Sequence, residues 1–343
     1  MFSNQGLVLA DDATGALECA SALAGFDVAI TLNEEAPANA GILVADTETR
    51  HLLAEEAARR IAHWADATGA AIFKKTDSTL RGNIAAELQA LLPRGPLVYV
   101  PAYPALGRTV QAGRLLVHGV PVDQTDFARD PRHPVRSSVV ADLFPPEVVV
   151  SIADAPALER FLNCDVKKIA ICDATTEEDL VQLTAALRGK AVTVAGPGGF
   201  VRAWASLGAY TRKPAEPTPV VRDWLVVCGS RHPQSRRQAH QASSAGLAVL
   251  MSAEEEQSPE AAAIELAHRA VAWIARHHPQ GLLIMGGDTA WALWRELGIR
   301  HLLPLPEVLP GVAACRSRDL IFVTKAGGFG DDDLVAKVRE RFA

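Results

Sequence analysis

The sequence predicts an α/β protein of two domains, each a largely parallel sheet flanked by helices. Three observations carry that expectation. Short apolar runs alternate along the chain with stretches whose apolar residues recur at helical spacing. Several runs break directly into polar or glycine-rich turns, as strands of open α/β sheets do at their carboxyl ends. Thr211-Arg212-Lys213-Pro214-Ala215-Glu216-Pro217-Thr218-Pro219 is polar and rich in proline, and reads as a linker. It divides the 343 residues into domains at 1–210 and 223–343, joined by 211–222.

Residues 6–10 form the first apolar run, which breaks at Asp11-Asp12-Ala13-Thr14-Gly15-Ala16. Leu17, Ala20 and Leu23 then follow at helical spacing, with Gly25 as the stop. A helix N-cap accounts for Thr14 and one Asp, but not for two adjacent carboxylates. Paired Asp at a strand end suits hydroxyl binding, proton abstraction or magnesium coordination. Strands are expected at 26–32 and 41–45, the second ending in Asp46-Thr47-Glu48-Thr49-Arg50. Leu53, Ala57, Ile61 and Trp64 define the next helix.

The run at 71–73 leads into Lys74-Lys75-Thr76-Asp77-Ser78-Thr79-Leu80-Arg81-Gly82-Asn83. Ile84, Leu88 and Leu91 follow at i, i+4 and i+7, so this polar stretch is a strand-to-helix turn. The free amides of the following helix add a preference for anions. The turn matches a small, anionic, hydroxyl-rich molecule, with Lys and Arg for the charge and Asp77 and Asn83 for hydroxyls. A solvated polar loop is the competing reading. Arg50 adds a third basic group beside Lys75 and Arg81, unless it pairs with Glu48 or Asp46.

After a strand at 96–100 comes a long Pro- and Gly-punctuated insertion, from Pro101-Ala102-Tyr103-Pro104 through Gly107-Arg108-Thr109 to Asp130-Pro131-Arg132-His133-Pro134. Its apolar residues Leu115, Leu116, Val117, Val120 and Val122 favour an ordered lid or hairpin. Strand-helix alternation resumes with runs at 148–152, 168–172 and 192–195, the last ending near Gly196-Pro197-Gly198-Gly199.

In the second half, strand 224–228 ends in Gly229-Ser230. Helices at 234–245 and 261–277 flank a strand at 247–251. Strand 281–285 runs into Gly286-Gly287-Asp288-Thr289, with a helix at 290–297. Strand 320–324 runs into Lys325-Ala326-Gly327-Gly328-Phe329-Gly330, and 331–333 opens the final helix. Glycine lets backbone amides approach phosphate oxygens, while hydroxyls and Lys325 add donors and charge. None of these turns is a Walker A loop or a GxGxxG fingerprint. Converging on one sheet edge, they predict a nucleotide site.

A net charge of −6 argues against a general nucleic-acid or membrane surface, so any anion must be met by local basic groups. The 5 cysteines show no CxxC spacing, which predicts reduced thiols and a cytoplasmic protein. No run approaches membrane-spanning length, no basic region with a long apolar stretch opens the chain, and no histidine cluster has zinc spacing.

The motifs Ala10-Asp11-Asp12-Ala13-Thr14-Gly15-Ala16, Lys75 through Asn83, Pro101 through Thr109, Gly286-Gly287-Asp288-Thr289-Ala290 and Lys325 through Gly330 resemble those of the four-carbon acid sugar kinases. The likeness spans nearly the whole chain in the family's order. It implies ATP-dependent phosphorylation of threonate, erythronate or 3-oxo-tetronate acids, in a cleft between an acid-sugar domain and a nucleotide domain. Asp12, Arg50, Ser78, Thr79, Leu80 and Arg81 then match substrate-binding positions. Ser230, Gly286, Gly287, Asp288, Thr289 and Gly328 match ATP-binding positions, with Lys325 and Gly327 in the same glycine loop.

The expected catalytic residues are Asp12, Lys75 and Arg81. Asp12 would orient or deprotonate the attacking hydroxyl, with Asp11 as its rival. Lys75, Arg81 and Arg50 would hold the substrate carboxylate, with Asp77 and Asn83 nearby. Mg2+ would bridge the phosphates, its protein ligands unassigned. Two departures stand out: the stretch from Ser230 to Gly286 is shorter than the family implies, and Arg231-His232-Pro233-Gln234-Ser235 replaces a small, Thr-containing segment. The partners expected are a sugar acid and ATP, with no nucleic acid or membrane, and a homodimer left open. The alternatives are a kinase for another hydroxy acid such as glycerate, and a non-catalytic sugar-acid sensor.

Overall fold

A computed structural model describes residues 6–32, 40–130, 132–164, 166–214, 217–253, 258–325 and 328–343. In the first half, eight strands lie side by side and parallel. Their order is Val28–Thr31, Ile42–Asp46, Gly6–Ala10, Ala71–Lys75, Thr193–Gly196, Leu97–Tyr99, Ile169–Cys172, Val149–Ile152. The central strands are apolar up to their carboxyl ends because helices cover both faces, leaving Val8, Leu9, Val44 and Phe73 without exposed surface. In the second half Ala248–Met251, Trp224–Cys228, Gly281–Met285 and Leu320–Lys325 are likewise parallel.

Register decides which turns meet. Ala10 pairs with Asp46 on one side and Lys75 on the other, so the turns after these strands emerge together. The first strand has a neighbour on each side that follows it in sequence, which makes this edge a topological switch point. In the second half Cys228, Met285 and Lys325 are aligned, so Ser230, Gly286 and the loop after Lys325 also share one edge.

The sequence did not suggest the hairpin His301–Leu309/Val312–Ser317. Pro304 and Pro306 interrupt the run there, and proline argues against a strand interior. Here Pro304 keeps its place opposite Cys315, and the ladder shifts register between Leu305 and Leu309, so that Pro306 is accommodated as an irregularity. Ser21, on helix Ala13–Ala22, takes the Ala314 amide at 2.9 Å and donates to Leu305 O at 2.8 Å. The hairpin pairs with Leu320–Lys325 on one side and, antiparallel, with Val28–Thr31 on the other. The two half-sheets therefore form one fourteen-stranded sheet.

The insertion is an ordered hairpin, Arg108–Gln111 with Arg114–Val117, extended by Val120–Pro121 into a three-stranded sheet. Val110, Leu115 and Val122 are fully buried beneath it. One other difference bears on the site. The helix expected at 290–297 spans Gly287–Glu296, so Gly287, Asp288 and Thr289 form its first turn.

Candidate active site

The strand ends of the first half carry a dense network of ion pairs. Asp11 is buried, and Arg50 binds it with Nε at 2.8 Å and Nη2 at 3.0 Å. Burial pushes the Asp11 carboxyl upward, but the Arg50, Lys74 and Lys75 charges prevail and hold it below the usual carboxylate range. Asp12 is the N-cap of helix Ala13–Ala22, accepting the Gly15 amide at 2.8 Å through Oδ1. Its Oδ2 accepts the Thr14 hydroxyl at 2.7 Å and Arg50 Nη1 at 2.5 Å. Thr14 is thus within the helix and is not its cap. Of the two aspartates, Asp12 is the one with appreciable exposed side chain, 17% against 1%.

Strand alternation separates the two lysines of Ala71–Lys75. Lys74 is inward and pairs with the buried Glu87 at 3.0 Å. Lys75 lies on the opposite face, where its Nζ donates to Thr76 O at 2.9 Å and lies 3.4 Å from Glu18. Burial opposes its charge, but Glu18 and Asp11 more than restore it, raising its pKa above the usual lysine range.

Asp77 Oδ1 accepts the Thr79 amide at 2.8 Å, and its Oδ2 pairs with Arg81 at 2.8 Å. Burial works against this carboxylate too, yet Arg81 and Arg50 depress its pKa far below the ordinary value. Arg81 also reaches Asp130 at 3.1 Å. Leu80 sits at φ +67, a left-handed conformation that is strained for a branched residue and is held by these flanking bonds. Asn83 turns away from hydroxyl binding: its amide donates to Thr49 O and Leu52 O at 2.8 and 2.9 Å, fixing the neighbouring loop.

In the second half, Ser230 Oγ accepts the His232 amide at 3.2 Å. Gly286 occupies φ +119, and a side chain there would crowd the Ser230 amide at 3.3 Å. Gly287 abuts the first half, since a Cβ on it would lie 2.9 Å from Thr14 Oγ1 and 3.3 Å from Asp12 Oδ2. The positive end of helix Gly287–Glu296 is thereby set against the Asp12 carboxylate. Thr289 is buried against Gly229. Asp288 is half-exposed, 3.4 Å from His51 Nε2 and 3.6 Å from Arg132 Nη1, and His51 in turn stacks on His133. Lys325 is buried and donates to Phe329 O at 2.9 Å. Burial lowers its pKa to about 8. Gly328 packs against the His232 ring, and Gly327 lies outside the described residues.

Two cavities bring these groups together. A narrow one is lined by Asp12, Lys75, Asp77, Ser78 and Arg81 from the first half, facing Thr324, Lys325 and Phe329 from the second. A wider one of about 250 Å³ is lined by Asp11, Asp12, Arg50, His51, Gly287 and Asp288. Sequence reasoning did not single out Glu18, His51 or Arg132. Glu18 was within reach, being one helical turn beyond Thr14. His51 and Arg132 carry no spacing signal, because they meet Asp288 only through the fold.

Comparison with known proteins places these halves in context. Residues 6–204 match the model of a sugar-binding N-terminal domain, and residues 226–335 that of a nucleotide-binding C-terminal domain. A D-threonate kinase of Cupriavidus necator is 31% identical over 95% of this chain and 95% of its own. That alignment runs over 395 positions against 343 residues here, so the relative carries segments this chain lacks. A 3-oxo-tetronate kinase of Pectobacterium atrosepticum is 25% identical, covering 98% of this chain and 99% of its own. A Bordetella bronchiseptica structure described as a domain-swapped dimer with bound citrate superposes with a TM-score of 0.54 at 27% identity, covering 99% of this chain and 98% of its own. A Haemophilus influenzae structure shares the fold, with a TM-score of 0.68 at 20% identity over 98% of this chain and 100% of its own.

Proposed function

We propose, because the chain belongs to the four-carbon acid sugar kinase family, that it transfers the γ-phosphoryl group of ATP to a hydroxyl of a threonate-, erythronate- or 3-oxo-tetronate-type acid. The observation that carries this reading is the narrow cavity, where Asp12, Lys75, Ser78 and Arg81 face Lys325 and Phe329 from the other half. We assign 1–210 to the acid sugar, 223–343 to the nucleotide, and 211–222 to their connection.

In this reading the acid sugar sits against Ser78, Thr79 and Arg81, with Asp12 at its reacting hydroxyl. Lys75 keeps the floor positive although Glu18 is beside it. The nucleotide phosphates lie along Ser230, the first turn of Gly287–Glu296, Gly328 and Lys325, where free amides and a cation meet them. Positioning and electrostatics supply most of the acceleration in such chemistry. Magnesium suits this arrangement as an ion carried by phosphate. It binds through one or two carboxylates plus phosphate oxygens, and no group of three or more ligating side chains exists among the described residues. Asp12 and Asp288, both on the wider cavity, are the carboxylates that would hold it. When bound, it would neutralise charge on the phosphate oxygens.

Among the described residues no helix is long and apolar enough to cross a membrane. A cytoplasmic location and a homodimer belong to the same reading. The dimer is supported by the description of the Bordetella structure.

The test is ADP release from ATP and magnesium with a panel of four-carbon acids, glycerate and the matching neutral polyols. Turnover is expected with at least one four-carbon acid and not with neutral polyols. Equal turnover of acids and polyols would remove the carboxylate-binding role. A preference for glycerate would favour the other hydroxy-acid reading, and ligand binding without any turnover would favour a sensor.

Lys325 gives a second expectation. Its pKa near 8 means that it loses its proton as pH rises through that value in the free protein. kcat/KM for ATP should therefore fall above about pH 8, and Lys325→Arg should remove that limb because guanidinium stays charged. A limb that persists in Lys325→Arg belongs to another group.

A further inference from the structure

The cations around the narrow cavity mostly have acidic partners. Lys75 lies beside Glu18, Arg50 binds Asp11 and Asp12, and Arg81 binds Asp77 and Asp130. Arg108 differs. It is 6% exposed, yet no carboxylate among the described residues forms an ion pair with it. Its Nη1 donates to Leu106 O, its Nε has no partner among the described residues, and its guanidinium lies 5.1 Å from the centre of the Phe329 ring. Burial outweighs the more distant Asp77 and Glu18 and lowers its pKa, whereas those of Arg50 and Arg81 are raised.

A buried charge without a counter-charge is costly. This one is also held in place. Gly107 takes the left-handed conformation at φ +67, and Tyr103 and Arg108 exchange backbone bonds at 2.7 and 3.1 Å, fixing the start of strand Arg108–Gln111. The side chain rises from the sugar-binding half and touches Phe329, in the loop that follows Leu320–Lys325 of the nucleotide half. Phe329 lines the narrow cavity and its carbonyl accepts from Lys325, so Arg108 meets the seam between the halves through that residue.

We infer that Arg108 is a catalytic residue that leaves the face of Phe329 and grips the non-bridging oxygens of the γ-phosphoryl group during transfer. The inference rests on the kinase reading above. In that step the acceptor hydroxyl oxygen bonds to the γ-phosphorus while the bond to the β,γ-bridging oxygen breaks. ADP keeps that electron pair, and the hydroxyl proton passes to the Asp12 carboxylate. A preorganised guanidinium matches charge spread over equatorial phosphoryl oxygens, and it brings its positive charge without a competing carboxylate.

The experiment compares the full chain with Arg108→Met, Arg108→Lys and Arg108→Ala, using the acid that wild type turns over. Arg108→Met is expected to lose on the order of 10²–10³-fold in kcat, with calorimetric affinities for ATP and acid changed only a few-fold. Guanidinium ion added to Arg108→Ala should recover part of the rate. Arg108→Met should also melt no lower than wild type, because it removes a buried charge that no carboxylate among the described residues pairs. Wild-type kcat in Arg108→Met would overturn the inference. So would lost acid binding with kcat unchanged at saturation, which would make Arg108 a carboxylate ligand. A lower melting temperature for Arg108→Met, beside wild-type turnover in Arg108→Lys, would assign the residue to folding and overturn it too. A wild-type chain inactive towards every acid removes the kinase reading and this inference together. An active wild type with an active Arg108→Met removes this inference alone.

Discussion

Asp12→Asn is expected to lower kcat by roughly 10²–10⁴-fold while the acid sugar still binds. The geometry makes this substitution informative. Asn caps a helix as well as Asp, so the bond from the Gly15 amide to Oδ1 survives and helix Ala13–Ala22 keeps its start. Arg50 also stays in place, since Asp11 holds it through two bonds. What is lost is the negative oxygen that accepts from Thr14 and Arg50 and faces both cavities. Steady-state kinetics with calorimetric binding of the acid will measure the effect. Near-normal kcat would reduce Asp12 to a cap. A matching collapse confined to Asp11→Asn would move the role one residue back, although Asp11 is buried and bound at both oxygens by Arg50.

Arg50→Ala should be the more damaging change to the fold, costing about 3–5 kcal/mol because it strands a buried carboxylate. The sign of its pH dependence follows from Asp11. In the intact protein that carboxyl lies below its ordinary value, so the pair contributes stability above the usual carboxylate pKa. The contribution is lost as pH falls through the depressed folded value. Without Arg50, burial would instead raise the Asp11 pKa. The deficit of Arg50→Ala should then be largest at neutral pH and shrink as pH falls towards 4. Urea unfolding of both proteins at several pH values measures it. A deficit independent of pH would mean that Arg50 stabilises by packing alone.

Much of this site was legible because strand ends are local. The runs before Asp11, Asp46, Lys74 and Gly286 are short, apolar and bounded by polar or glycine residues, and these features need no distant partner. Which charges cancel was not legible. Arg50 meets Asp11, Arg81 meets Asp130, and His51 meets Asp288 only after strands and halves are placed, so the local alternative of Arg50 pairing with Glu48 or Asp46 gives way to partners distant in sequence. Lys74 and Lys75 could have been separated by strand alternation alone. Asn83 faces the loop it anchors, which its place in the motif could not reveal. The hairpin at His301–Leu309 was hidden by its prolines, and its bonds to Ser21 join residues almost three hundred positions apart in the chain.

That hairpin limits how the molecule can open. A clamshell swing between the halves would have to break the backbone bonds linking His301 and Leu302 to Thr31 and Ile30, and would pull Ser21 away from Ala314. The sheet acts instead as a continuous spine through both halves. Entry and exit of reactants then fall to the surface segments that meet across the seam, at His51, Arg132 and Asp288. Traffic through the site would be set by how quickly those small contacts part, with the body of the protein moving little.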